Sequence, residues 1–316
     1  MINSLLSRRR FLATAAAATA ATRLPWAALY AQESPAIPEV LARGRAAGTT
    51  AKLNIQSLRG SVTVLMGVGG NIAVLPGKDG KVLVDSGYAT AQPQLTEAMA
   101  ALSSDPVTHL INTHWHFDHT DGNEWVHAAG ATIIAHENCR TRLSTPQEIV
   151  AYKAKFPPSP AGAIPTIVFT SEKSVKLNGA TLALSHYDPA HTDTDLSVYF
   201  NEANILHTGD TFWNPLYPFI DYSTGGNIDG MILANKRNLQ IASNDTIIIP
   251  GHGAVGNKAQ LADFHEMLVN VRGTVAKLKK EGKSLDEVTA AKPTAAFDDK
   301  FGQRSALFIA CVYQTV

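Results

Sequence analysis

Short apolar runs broken by glycine dominate the middle of the chain. From about residue 53, VTVLMG and NIAVLP flank Gly67-Val68-Gly69-Gly70, and KVLVDSG follows Pro76-Gly77-Lys78-Asp79-Gly80. Runs of this length, rich in β-branched residues and punctuated by glycine, predict a meander of short strands. Residues 91–103 (AQPQLTEAMAALS) then place Leu95, Met99 and Leu102 on one helical face. Strand THLINT, a histidine-rich loop, a helix over 121–130 and strand ATIIAH follow. Residues 137–155 read as helical, and FPPSPAGAIP (156–165) as a proline-rich surface connection. A second set of strands is predicted from TIVFT, SVKL, TLALSHY, SVYF, NILHTG and TIIIPG. Between the last two, DGMILANKRNLQIA has helical periodicity, and a helix over about 257–281 precedes a mixed tail. Strands and helices, then strands and helices again, suit an α/β chain of two sheets packed together with helices outside. Alternation alone does not separate that arrangement from a doubly wound sheet.

Composition changes the picture mainly at the beginning. The chain has 316 residues with 45% hydrophobic and 7% aromatic content, enough for one sizeable domain with a well-filled core. Ser7-Arg8-Arg9-Arg10-Phe11-Leu12 leads into an alanine-rich stretch and resembles a twin-arginine export signal. That resemblance implies cleavage after Ala31, delivery by the twin-arginine machinery and a periplasmic or secreted mature protein. The apolar middle of the signal is too short to span a bilayer, so no stable membrane span is expected in the mature form. Without residues 1–31 the formal charge moves from 0 to −4, and no basic footprint for nucleic acid remains. Cys139 and Cys311 are too few to define a disulfide scaffold and read as two free, buried thiols.

Candidate chemistry gathers where the apolar strands end. KVLV ends at Asp85; LINT leads into THWHFDH with His114, His116, Asp118 and His119; LSHY leads to His191 in PAHTDTD; NILHTG ends at Asp210; TIIIPG ends at His252. Five strand ends each deliver an imidazole or a carboxylate to a loop, and loops on a rigid sheet edge are where sites are built. His114 and His116 lie two apart, so an extended backbone turns both to one side and Trp115 to the other. Asp118 and His119 continue beyond a bend and can face a second ion beside the first, and a shared carboxylate such as Asp210 would offset the repulsion of two nearby cations. Nitrogen and oxygen donors without thiolate suit zinc, while iron and manganese accept similar sets. Asp193 and Asp195 are expected to hold the 191–195 loop through caps or turns. The remaining histidines (His109, His127, His136, His186, His207 and His265) read as surface or core residues, with His136 and His207 also weighed as contacts behind ligands.

H-W-H-F-D-H resembles the H-x-H-x-D-H motif of the metallo-β-lactamase superfamily. PAHTDTD, HTGDTF and PGHG are similar to its later ligand loops, in the same order, over about residues 55–255. The resemblance implies an αββα four-layer sandwich, with an N-terminal segment at 32–54, a catalytic domain at 55–256, and a C-terminal helix and tail at 257–316 packed on it. It further implies that His114, His116 and His191 bind a first metal, that Asp118, His119 and His252 bind a second, and that Asp210 bridges them. Asp85 would stand behind the ligands and orient them.

Two zinc ions in such a set would lower the pKa of a shared water and polarise a carbonyl, with Asp118 placed to hold that water or take its proton. The implied reaction is hydrolysis of an ester, thioester, lactone or lactam bond in a small molecule. Asp210 stands where one group of true β-lactamases has cysteine, which makes the set more similar to glyoxalase II. The lysines Lys277, Lys279, Lys280 and Lys283 read as a solvated face rather than a glutathione site. Competing readings are a β-lactamase proper, a mononuclear-iron persulfide dioxygenase and a metal-binding relay protein without turnover. Substrate choice is expected in the glycine loop Met66–Gly70 and in TFWNPLYPFIDY, where Phe212, Trp213, Tyr217, Phe219 and Tyr222 either line the mouth and favour an apolar acyl group or pack as core.

Overall fold

A computed structural model describes residues 37–302 and 305–316, so the export signal read at 1–31 lies outside the described residues. After helix α1 (Glu39–Thr50), strands β1 (Asn54–Ser57), β2 (Thr63–Met66), β3 (Ile72–Leu75) and β4 (Lys81–Val84) form the predicted antiparallel meander. Helix α2 (Gln92–Leu102) crosses over to β5 (Val107–Ile111), which runs parallel to β4. Helices α3 (Phe117–Thr120) and α4 (Asn123–Ala128) precede β6 (Thr132–His136), parallel to β5. Helix α5 (Glu137–Ser144) and a hairpin of β7 (Gln147–Ile149) and β8 (Ala154–Phe156) follow. Then β9 (Ile167–Phe169) closes the far edge of this seven-stranded sheet.

The second sheet begins at β10 (Glu172–Leu177). It continues antiparallel through β11 (Ala180–His186), β12 (Leu196–Phe200) and β13 (Ile205–His207). Strand β14 (Trp213–Asn214) and helix α6 (Ile228–Ile241) come next, and β15 (Ile247–Ile249) adds in parallel to β13. Strand β16 (His252–Gly253) pairs with β14, β17 (Gly256–Asn257) completes the six-stranded sheet, and helices α7 (Lys258–Lys280), α8 (Leu285–Ala290), α9 (Asp298–Phe301) and α10 (Ala306–Thr315) end the chain.

Two expectations need correction. TIVFT does not open the second sheet; it pairs with β6 through Ile134 and Ile167 in the first. The helix read over 137–155 stops at Ser144, because Pro146 disfavours helical backbone at Thr145, which is extended (φ −130°, ψ 156°), and a hairpin follows.

Layering follows from period-two alternation in strands buried on both faces. Val82 and Val84 of β4 point into the core between the sheets, with Leu182, Val198 and Ile249 from the other side. Leu83, between them, points outward under α2 with Leu95 and Met99. Helices α6, α7 and α10 cover the second sheet through a third core that includes Phe212, Phe264 and Phe308. This is the αββα sandwich. Helix α7 begins with a capping box in which Asn257 and Gln260 each accept the other's backbone N–H at 3.1 Å.

The layers decide where a site stands. Strands β4 and β5 are parallel neighbours in one sheet, and β13 and β15 are parallel neighbours in the other. Their carboxyl ends meet at one rim of the sandwich, the usual position for a site on parallel strands.

Candidate metal centre

All seven proposed ligands converge at that rim. Asp85 follows β4, His114 to His119 follow β5, Asp210 follows β13 and His252 follows β15. His191 sits in the loop between β11 and β12. Three groups of side chains have donor atoms within 4.8 Å of one another: His114, His116 and His191; His114, His119 and Asp210; and Asp118, His119 and His252. Asp210 stands in the middle, with Oδ2 at 3.4 Å from His191 Nε2 and 3.3 Å from His252 Nε2, and Oδ1 at 3.2 Å from His119 Nε2. Asp118 and His119 lie on the short helix α3 rather than beyond a simple bend, which carries Asp118 Oδ2 to 3.1 Å from His252 Nε2.

Three of the five imidazoles are aimed from behind by an acceptor. His119 Nδ1 donates to Asp85 (2.7 Å), His191 Nδ1 donates to the Phe219 carbonyl (2.8 Å), and His116 Nε2 donates to Asp221 (3.0 Å). With one ring nitrogen so engaged, the other is left as a lone-pair donor facing the centre. The second nitrogens of His116 and His191 approach to 2.8 Å, and those of His119 and His252 to 3.3 Å. Buried His114 Nε2 and Asp210 Oδ1 have no hydrogen-bond partner. Unpartnered buried donors and clustered lone pairs are costly unless a cation joins them, so these residues fit a metal centre of nitrogen and oxygen donors.

The backbone is shaped to the same end. Asp85 adopts φ +65°, rare for a residue with a side chain, and its carboxylate accepts Thr113 N and Thr113 Oγ1, both at 2.7 Å, besides His119. Glycine is required where the chain passes the ligands. A Cβ on Gly251 would lie 1.8 Å from Asp210 Oδ1, and one on Gly70 would lie 2.0 Å from the His119 ring. The Gly67–Gly70 loop is therefore a floor pressed against His119, tied down by Gly70 N–H to the Asp118 carbonyl at 3.0 Å. Asp195 holds the His191 loop, accepting His191 N (2.7 Å), Thr192 N (2.9 Å) and Thr192 Oγ1 (2.6 Å). Asp193 instead pairs with Arg142 at 2.7 Å.

Electrostatics divides the centre in two. Burial pushes His114 well below the ordinary histidine value and His191 down to about 4, which keeps both imidazoles neutral and ready to donate electron pairs. Burial acts in the same direction on His119 and His252, but Asp210 and Asp118 outweigh it. They raise His252 to about 9 and His119, with Asp85 contributing, well above the ordinary value. Burial would raise Asp118, yet His119 and His252 hold it down at about 2.

Several contributors escaped sequence reasoning. Asp221 is 105 positions from His116, and the Phe219 carbonyl is a backbone atom; neither carries a local signal. Trp213 lies with its ring 4.3 Å from that of His252. Of the aromatic stretch, Phe212 is core, packed on Phe264, rather than mouth. His207 bonds the Asn71 carbonyl (3.1 Å), while His136 stacks on His186 between the sheets. Both cysteines are buried and unbonded. Among the described residues, no helix is long and apolar enough to cross a membrane.

Comparisons with known proteins agree with this geometry. The family model for the metallo-beta-lactamase superfamily matches residues 65–252. A hydroxyacylglutathione hydrolase of Polaromonas sp. is 29% identical over 165 residues, covering 51% of this chain and 54% of its own length, so the match spans about half of that relative. A beta-lactamase-like protein 2 homolog of Caenorhabditis elegans is 26% identical over 244 residues, covering 72% of this chain and 68% of that protein. Among solved structures, a stereoselective inverting sec-alkylsulfatase from Pseudomonas sp. superposes with a TM-score of 0.61 at 18% identity, covering 87% of this chain and 51% of that one. With a family model spanning well over half of its length and the ligand loops gathered at the expected rim, the chain belongs to the metallo-beta-lactamase superfamily.

Proposed function

We propose that this centre holds two divalent cations, zinc foremost, and hydrolyses an ester, thioester, lactone or lactam bond of a small molecule. The observation that carries the reading is the aimed set of inner nitrogens. His114 Nε2, His116 Nδ1 and His191 Nε2 would hold one ion; Asp118, His119 Nε2 and His252 Nε2 would hold the other; Asp210 would lie between them. Bound there, the cations would supply Lewis acidity and a water of lowered pKa.

The chain's own groups do the rest. Asp85, Asp221 and the Phe219 carbonyl fix ring orientation and tautomer. Asp118 is the carboxylate a reacting water can reach, because its side chain keeps 17% exposure where Asp210 keeps 2%. Standing 3.1 Å from His252 Nε2 at the open side of the centre, it is placed to hold that water or take its proton at Oδ. No serine or cysteine nucleophile enters this scheme. The hydroxyacylglutathione hydrolase name of the Polaromonas relative supports acyl hydrolysis as the reaction class.

Export by the twin-arginine route is part of the same proposal, supported by Ser7-Arg8-Arg9-Arg10-Phe11-Leu12. Metal analysis of protein from its native compartment, followed by a panel of aryl esters, thioesters, lactones and nitrocefin, tests the reading. Two zinc equivalents and turnover of an acyl substrate are expected. Iron with no hydrolysis of any member would overturn it.

A further inference from the structure

Beside the centre, three separate stretches of chain meet around a cleft of about 240 Å³: the β7–β8 turn at Tyr152, the segment from Trp213 to Phe219, and the C-terminal Phe301, Leu307 and Phe308. Two walls belong to the metal centre as well. The Trp213 ring lies 4.3 Å from the ring of His252. The Phe219 ring lies 5.9 Å from that of His116 and 5.8 Å from that of His191, and it stacks on Tyr152 at 4.6 Å. The cleft therefore adjoins both halves of the ligand set.

Its lining is aromatic and aliphatic throughout the described residues. Of the two hydroxyls, that of Tyr217 already donates towards Asp298 (2.8 Å) and the Thr294 carbonyl (3.2 Å). Burial keeps Tyr152 un-ionised by raising its pKa. Leu216 and Leu307 stand 40% and 39% exposed, so they extend the apolar surface outward from the cleft. An apolar patch continuous with a concave site beside polar chemistry marks a ligand surface rather than scattered surface leucines.

We infer that this cleft seats an uncharged hydrocarbon or aryl part of the substrate while the scissile bond lies over the metal centre. An apolar cavity of about 150 Å³ is enough for benzene, so this one accommodates roughly six to ten carbons. The C-terminal helices α9 and α10 supply one wall and so set the length preference. The inference rests on the hydrolytic reading of the centre but is tested apart from it.

Two measurements on the protein as purified decide it. In calorimetric titrations, octanamide should bind at least tenfold more tightly than acetamide, and Leu307→Asp or Leu216→Asp should remove that difference. Both leucines are partly exposed, so either charge is compatible with folding. Across p-nitrophenyl esters from acetyl to dodecanoyl, kcat/KM should rise about threefold to fourfold per added methylene and level off near ten carbons. A terminal carboxylate on the octanoyl chain should lower it at least tenfold.

Octanamide binding without ester turnover would support the cleft and sink the hydrolytic reading. Turnover that ignores chain length, equal binding of the two amides, or a carboxylated chain that reacts as well as the neutral one would overturn the cleft assignment. So would conversion of a dimer to a monomer by Leu307→Asp, seen by light scattering, with the chain-length series unchanged.

Discussion

Asp118 and Asp221 show how single side chains divide the work at the rim. Asp118 is the partly exposed carboxylate at the mouth; Asp221 is buried and stands behind a histidine's far nitrogen, held there by Ser223 and by the Thr224 hydroxyl at 2.7 Å. Replacing Asp118 with alanine should lower kcat for an aryl ester or nitrocefin by about 10²- to 10⁴-fold, with an unchanged circular dichroism spectrum. Full turnover in that variant would remove the proton-transfer role. Asp221→Asn keeps the shape and loses the charge behind His116, so zinc affinity in a chelator competition should fall about 10- to 100-fold. The side chains that converge at the rim were legible at this scale because histidine two apart from histidine, at the end of an apolar run, has few purposes. Asp221 was not legible, since its contact is made across 105 positions and its own neighbourhood, FIDYSTG, reads as an ordinary turn.

Elements bring a different kind of contact. The final residues of β6 and β11, His136 and His186, stack face to face at 3.5 Å with an 8° interplanar angle, joining the two sheets. Burial, then the neighbouring His136, pushes His186 down to about 4, with Asp188, Asp193 and the Asp195 carbonyl acting the other way. The fold thus favours the neutral ring. Its contribution to stability is complete above the unfolded-state value near 6.5 and is lost as pH falls from there through about 4. His186→Phe keeps a ring at this position and removes the proton. In metal-stripped proteins, its urea midpoint should fall less than that of the parent between pH 7 and pH 4.5. Equal falls would exclude His186 as a source of acid sensitivity. Sequence reading located the longer central strands and the helices at 92–102, 228–241 and 258–280, because alternation and helical spacing are local; it missed helix α1, the β7–β8 hairpin and the short helices of the tail. It misassigned TIVFT to the second sheet, since pairing partners are set by packing and not by the strand's own residues.

On the scale of the whole molecule, the centre is also a clasp. His114 and His116 extend from the first sheet and Asp210 and His252 from the second, so ions shared among them would tie the two halves of the sandwich together. Ligands that bind only the folded state stabilise it by mass action, about 4 kcal/mol at free zinc a thousandfold above Kd. Chelation should therefore lower the melting temperature, and zinc should restore it; an identical melting curve with and without chelator would argue against metal bound between the sheets.

The sequence by itself determined the main central strands and longer helices, the family resemblance and which imidazoles and carboxylates stand at the strand ends, because each is written in local periodicity or in a compact motif. Tertiary structure decided which sheet each strand joined, which groups stand behind each imidazole, and that the C-terminal helices wall an apolar cleft beside the ligands. Those outcomes depend on contacts between residues far apart along the chain, chosen by burial and hydrogen-bond satisfaction over the whole sandwich, and no short stretch of sequence contains them.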